Sequence, residues 1–493
     1  MRTYRQAGLL VIAVAGLAFT ASDAGAQNMH RGGGNGPTFS RVPTRPMPPT
    51  TQPPRPTRPD RPDRPHRPGW GHVHPGIIVT IPPRGPYVYD PPVVREPVVR
   101  QSSRRPPPRR NTASGAPPGG ERRFVPNEVI VGVANTASQQ SIAALLRRNR
   151  VTEIERQPLQ LSGTTMLRLR IPDRRSVASV VRALEAERMV AAAQPNYLFR
   201  LQQQDSPKDG AGASQDDDGA DYAAAKLRVA LAHSLANGEN VLVAVIDSGI
   251  DASHPALAGA IADRFNALDT PEKPDAHGTG IAGIIAGHGR QPGVAPAARI
   301  LAVRAFDGRD GTSFSIRKGL DWAVTSGARV INMSFAGPSD PGIARSLAAA
   351  GKKGIVLVAA AGNAGPKSPP LYPAADPNVI AVTATDADDK LYPQSNRGRH
   401  VAIAAPGVDI IAPGPDATYQ VASGTSFAAA KISGVVALMV QGKPERSPRE
   451  VRRALTASAK DLGPKGVDEQ FGAGLADAYA AVSAGEPVAA ARN

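Results

Sequence analysis

Between residues 221 and 484, short and nearly continuous apolar runs alternate with longer stretches patterned at helical spacing. The runs cover 241–246, 299–306, 330–333, 355–359, 379–382 and 401–404. Strands without a polar side are covered on both faces, as in parallel sheets. Their alternation with helices predicts an α/β fold, a mostly parallel sheet with helices on both faces. Residues 315–326 place Ile316, Leu320, Ala323 and Val324 on one face and read as a crossover helix; 427–440 is long, mostly apolar and reads as a buried helix.

Residues 123–201 have a different rhythm. Strand patterns at 124–133, 151–155, 165–171 and 189–199 enclose helical patterns at 140–148 (Ile142, Leu145, Leu146) and 175–187 (Val177, Val180, Val181, Leu184). The order β-α-β-β-α-β predicts a small ferredoxin-like α+β domain. Residues 202–220 follow as a polar connector. It holds Asp216, Asp217 and Asp218, has no core-forming side chains, and is a good place for a cut.

Before residue 123 the pattern cannot build a core. Residues 27–122 are dominated by proline and arginine and are expected to be disordered. Arginine recurs every third position at Arg55, Arg58, Arg61, Arg64 and Arg67. A polyproline II helix would align these side chains along one edge, about 9 Å apart. The tract reads as a stiff soluble spacer, with contact to an anionic envelope surface as the alternative. His72 and His74 lie in this tract, and two nearby histidines there rarely make a metal site. Residues 1–26 read as a signal peptide: Arg2 and Arg5, an apolar segment over 7–19 too short for an ordinary spanning helix, then Ala24-Gly25-Ala26 before Gln27. An uncleaved anchor is the other reading.

Composition sharpens this division. The chain of 493 residues is too long for one ordinary domain, and its net charge is +16. Residues 28–122 hold 16 arginines against 5 acids, and 24 of the 49 prolines, so the basic character belongs mainly to the N-terminal tract. No specific nucleic-acid partner is therefore expected of the folded part. The absence of cysteine excludes disulfides, thiolate metal sites and a cysteine nucleophile.

Three segments in the 221–484 region carry chemistry, in the order aspartate, histidine, serine. Asp247 ends an apolar strand at Val245-Ile246-Asp247-Ser248-Gly249, where an open α/β sheet gathers function; an aspartate there can also simply cap a turn. His277 heads a helix of small residues, Gly278-Thr279-Gly280 and Ala282-Gly283, that would let it approach the sheet closely. Ser426, in Ser423-Gly424-Thr425-Ser426, sits at the start of the apolar helix, where serine is often only a cap. A serine hydroxyl becomes a nucleophile when a neighbouring base takes its proton and a third group orients that base.

The three motifs, in this order, resemble the subtilisin-like serine peptidases, the subtilase family. The resemblance spans about 223–481. It implies Asp247, His277 and Ser426 as the triad and Asn363, in Ala359-Ala360-Ala361-Gly362-Asn363, as an oxyanion donor beside the Ser426 N–H. It further implies Ser334, Phe335, Ala336 and Gly337 as a strand edge that pairs with an extended substrate and lines the first specificity pocket, with Ala361 and Gly362 as further substrate-binding residues. His254 is given no catalytic role. Ala430 and Lys431 depart from the Pro and His that often follow the nucleophile motif. The 123–201 region resembles the inhibitory propeptide of subtilases through Val125-Pro126-Asn127-Glu128 and Gln194-Pro195-Asn196-Tyr197. The implied protein is an exported serine endopeptidase, periplasmic or secreted. It would be a monomer made as a self-processing preproenzyme, acting on protein or peptide substrates and partnered by its own propeptide. No cofactor is required for that chemistry; many relatives bind calcium, but no carboxylate cluster here identifies ligands. An esterase using the same triad, and an envelope- or polyanion-binding protein with a secondary or inactive peptidase domain, are the rival readings.

Overall fold

A computed structural model of the protein describes residues 114–202 and 222–484. The signal-peptide expectation and most of the Pro/Arg-tract and connector expectations lie outside the described residues. The end of the tract, 114–122, does not: there Ser114 Oγ and the Gly115 N–H donate to Glu185, so it is tied to the domain where disorder was expected.

The N-terminal unit runs β1 (Phe124–Ala134), α1 (Gln139–Asn149), β2 (Thr152–Leu159), β3 (Thr164–Arg170), α2 (Val177–Glu185) and β4 (Val190–Leu201). The strands pair antiparallel in the spatial order β2-β3-β1-β4, the ferredoxin-like arrangement expected from the sequence. Ser138 and Ser176 cap the two helices by accepting from the backbone N–H three residues on. The apolar faces of the helices meet one side of the sheet, burying Val129, Val131, Leu145, Leu167, Val181 and Leu184.

The larger part is built on seven strands, all paired parallel. Across the sheet they run Ile261–Asn266, Arg299–Arg304, Leu242–Asp247, Val330–Met333, Val356–Ala360, Val379–Thr385 and Val401–Pro406. Successive side chains divide between two cores, as the two-residue period of a strand requires. Val243, Val245, Val356 and Val358 join the core around the helix Thr425–Gly442, whereas Ala244, Ile246, Leu357 and Ala359 join the core under helices Ser313–Thr325 and Pro341–Lys352. The apolar runs were therefore legible because both faces are covered. Helix Thr425–Gly442 is long and apolar enough to cross a membrane by composition, but it is almost wholly buried in protein.

The two parts are joined through β4. Its last residues pair antiparallel with Asp310–Thr312 on one side and Phe335–Ala336 on the other, and Tyr197, Phe199 and Leu201 enter the core of the larger part. The opposite face of the N-terminal sheet lies on the two helices. Phe314 packs among Ile130, Leu159 and Met166. Lys318 forms an ion pair with Glu155, and Asp321 accepts the Gln160 and Leu161 N–H groups at 3.1 and 2.7 Å. Tyr197 N–H donates to Ser313 Oγ at 3.0 Å, and Asp340 accepts from Gln194 Nε2 at 2.8 Å.

Candidate active site

Three neighbouring strands deliver the site at their carboxyl ends. Asp247 is the last residue of its strand, Ser334 follows the next, and Ala361-Gly362-Asn363 follows the third. Ser426 is the second residue of helix Thr425–Gly442, and His277 the second of helix Ala276–Ala286.

Asp247 and His277 are fully buried and joined by a hydrogen bond of 2.7 Å from Nδ1 to Oδ1. That bond places the ring proton on Nδ1 and leaves Nε2 as an acceptor. Asp247 Oδ1 also accepts the Ser248 N–H at 2.8 Å. Asp275 caps the histidine helix by accepting the His277 N–H at 2.9 Å, and Ser248 Oγ lies 2.9 Å from the same carboxylate. The small residues of this helix have a more specific use than approach to the sheet. A side chain at Gly278 would meet the carbonyl oxygens of Ser248 and Gly249 at 2.9 Å, and one at Gly283 would meet the Pro413 ring at 2.4 Å. The helix is pressed against the loop that carries Asp247 and against strand Ile410–Pro413.

Ser426 and Asn363 converge on one atom, the carbonyl oxygen of Gln202. Ser426 Oγ donates to it at 2.7 Å and Asn363 Nδ2 at 3.0 Å. Thr425 orients the asparagine: its N–H and Oγ1 donate to Asn363 Oδ1 at 3.1 and 2.7 Å, which turns Nδ2 toward Gln202. Gly424 leaves the room, since a Cβ there would lie 2.8 Å from Asn363 Nδ2 and 3.1 Å from the Gln202 oxygen. The second donor to that oxygen is thus the serine hydroxyl. His277 Nε2 is buried and has no hydrogen-bond partner among the described residues. Its ring lies 5.9 Å from that of Phe427, beside the nucleophile. The Asp–His pair and the Ser–Asn pair are each assembled, while the serine hydroxyl points at the strand and not at the histidine.

The strand that fills the cleft is held as an extended peptide. Gln202 N–H donates to Ser334 O at 3.0 Å, Leu201 lies opposite Phe335, and Arg200 lies opposite Ala336. On the other side Leu198, Phe199 and Arg200 face Thr312, Gly311 and Asp310. Phe199 sits edge-on to Phe335 at 5.9 Å, and Gly337 is open for it, because a Cβ there would lie 2.3 Å from its ring. Asn363 N–H donates to the Gln202 side-chain oxygen at 2.8 Å. Ala361 and Gly362 make no such bond to the strand; Gly362, at φ +113°, gives its N–H to Thr425 Oγ1 and so helps seat Asn363. His254 accepts the Ala256 N–H and bonds the Thr418 carbonyl, remote from the reacting groups.

Three contributors escaped the sequence reading. Gln202 was assigned to the connector by its polarity, yet lies in the cleft. The edge Asp310–Thr312 is the second strand of a hairpin with Phe306–Asp307, and its one local signal is the glycine of the two-residue turn Gly308-Arg309. Thr425 was visible within the serine motif but had no assigned role. Among the described residues no group of three or more carboxylates or histidines is placed to hold a metal.

Comparison with known proteins agrees with this architecture. The model described as "Subtilase family" matches residues 238–474, and "Fervidolysin N-terminal prodomain" matches 110–196. Thermitase of Thermoactinomyces vulgaris is 36% identical over 271 residues, 53% of this chain and 95% of its own length. A thermophilic serine proteinase of Bacillus sp. (strain AK1) is 33% identical over 360 residues, 71% of this chain and 86% of that protein. The crystal structure of fervidolysin from Fervidobacterium pennivorans, described as a keratinolytic enzyme related to subtilisin, superposes with a TM-score of 0.63 at 26% identity. The match covers 76% of this chain and 63% of fervidolysin.

Proposed function

Since the chain belongs to the subtilase family of serine endopeptidases and carries a prodomain ahead of its peptidase domain, we propose that Asp247, His277 and Ser426 form its triad and that residues 198–202 are its own first substrate. Ser426 Oγ attacks the Gln202 carbonyl carbon while His277 Nε2 takes the hydroxyl proton. Asp247 holds the imidazole and stabilises its positive charge. Asn363 Nδ2 stabilises the oxyanion, His277 returns the proton to the Gln203 nitrogen as the bond breaks, and water then releases the acyl group from Ser426. The observation that carries this reading is the Gln202 carbonyl oxygen, bonded at once by the proposed nucleophile and the proposed oxyanion donor.

After the cut, β4 would stay between its two partner strands and block the cleft as a product. The zymogen is thus self-inhibited until the prodomain is removed. The N-terminal charged and apolar pattern supports export to the periplasm or beyond. Main-chain pairing on both sides of residues 198–202 favours peptides over simple esters, which offer no such strand.

A fluorophosphonate, which phosphonylates activated serines with loss of fluoride, tests the triad directly. Once the prodomain is removed, the reagent should label the peptide containing Ser426 and lose that label in His277→Ala. Parallel assays on peptide and ester substrates should favour the peptide. A folded enzyme that hydrolyses protein without labelling at Ser426 would overturn the assignment. A folded enzyme that neither labels nor hydrolyses would point to an inactive peptidase domain.

A further inference from the structure

Between the prodomain sheet and helices Ser313–Thr325 and Pro341–Lys352 lies a cavity of about 200 Å³. Arg317, Arg345 and Ser346 line it from the peptidase side; Ile130, Leu161 and Gln194 line it from the prodomain. Arg317 is 6% exposed and its Nε has no hydrogen-bond partner among the described residues; Gln194 is 2% exposed and its Oε1 has none among them either. Burial pushes the Arg317 guanidinium down to about 10; the Asp340 carboxylate opposes this, and the like charge of Arg345 adds to it, while burial lowers Arg345 as well against the same carboxylate.

The nearby carboxylates are committed elsewhere. Asp340 accepts from Gln194 Nε2, Ser313 Oγ and the N–H groups of Gly342 and Ile343. Asp321 holds the Gln160 and Leu161 N–H groups, and Glu155 pairs with Lys318. Arg317 is buried beside the like charge of Arg345, whose side chain reaches the surface, and among the described residues no carboxylate bonds either guanidinium; such an arrangement is costly unless an anion joins the two. Guanidinium forks match tetrahedral oxyanions. The unpartnered Gln194 Oε1 adds an acceptor, which suits an anion that still carries a proton.

We propose that this cavity binds hydrogen phosphate, with Arg317 and Arg345 donating to its oxygens and Gln194 Oε1 accepting from its P–OH. A ligand shared by the two domains strengthens the hold of the prodomain on the peptidase. The site is separate from the cleft, and its occupancy does not depend on the proposed cut.

The test uses the full chain carrying Ser426→Ala, so that the domains stay covalently joined. Thermal unfolding is followed against inorganic phosphate, sulfate and chloride at matched ionic strength, with calorimetric titration for stoichiometry. Phosphate should raise Tm saturably, by roughly a few degrees, at one equivalent per chain. Sulfate, which has no proton to give Gln194, should be weaker, and chloride should do nothing. Adding Arg345→Gln should abolish the phosphate response, and Arg345→Lys should weaken binding by on the order of tenfold, because the fork is lost. No saturable binding to the Ser426→Ala chain overturns the site, whether or not the arginine variants fold. A phosphate response that survives Arg345→Gln, or is matched by chloride, means an adventitious ion only and overturns it equally.

Discussion

Ser426→Ala is expected to abolish hydrolysis of a denatured protein substrate, with turnover falling by on the order of 10⁶. The hydroxyl is the atom that would form the acyl-enzyme, and alanine leaves His277 with no proton to take. The fold should be unaffected. Ser426 is buried at the start of a helix whose body is held by Phe427, Ile432, Val435, Val436 and Met439, and its Oγ bonds only carbonyl oxygens of Gln202 and Ser334. Circular dichroism and the unfolding midpoint should match the parent before activity is compared. Full activity in purified, folded Ser426→Ala would end the nucleophile assignment.

Asn363→Ala is expected to lower kcat by on the order of 10² to 10³ with a much smaller change in KM. The side chain contributes where charge develops. Nδ2 lies 3.0 Å from the oxygen that would become the oxyanion, and Thr425 fixes its orientation through two bonds to Oδ1. Extended substrate binding is carried by other groups, the Ser334 carbonyl and the strands Phe335–Ala336 and Asp310–Thr312, so KM has little reason to move. Both magnitudes are those known for subtilisins, relatives of this chain. Steady-state kinetics on a peptide ending in the residues 199–202 before the scissile bond would separate the two constants. A loss confined to KM would place Asn363 in ground-state binding instead.

The parts of the fold that were legible in the sequence are those with one-sided physical demands. Strands buried on both faces can hold little but apolar residues, and five of the six expected runs differ from the observed strands by only a few residues at either end; the sixth, 299–306, divides into Arg299–Arg304 and Phe306–Asp307. The edge strand Ile261–Asn266 was missed because it carries Asp263 and Arg264 exposed and lacks a continuous apolar run. The hairpin Ile410–Pro413 and Tyr419–Ala422 was missed because its second strand is largely open, with Val421 41% exposed. The candidate site residues stood out because each sits in a motif whose glycines and small residues have steric work to do. Gln202 did not, since most of its contacts in the cleft are made by its backbone, and the one its side chain makes to the peptidase domain, to the Asn363 N–H, depends on a residue 161 positions away. The contacts of Asp321 with Gln160 and Leu161, and of Lys318 with Glu155, join residues some 160 positions apart, which no local pattern reveals.

The chain is expected to cut itself at the bond its own cleft presents, between Gln202 and Gln203. Intact-mass analysis of the purified wild-type chain beside Ser426→Ala tests this most directly. The predicted result is a wild-type upstream fragment whose last residue is Gln202, still associated with the peptidase domain, and a Ser426→Ala chain uncut at that bond. A wild-type chain that keeps the 202–203 bond while showing peptidase activity, or a Ser426→Ala chain cut there to the same extent, would contradict it.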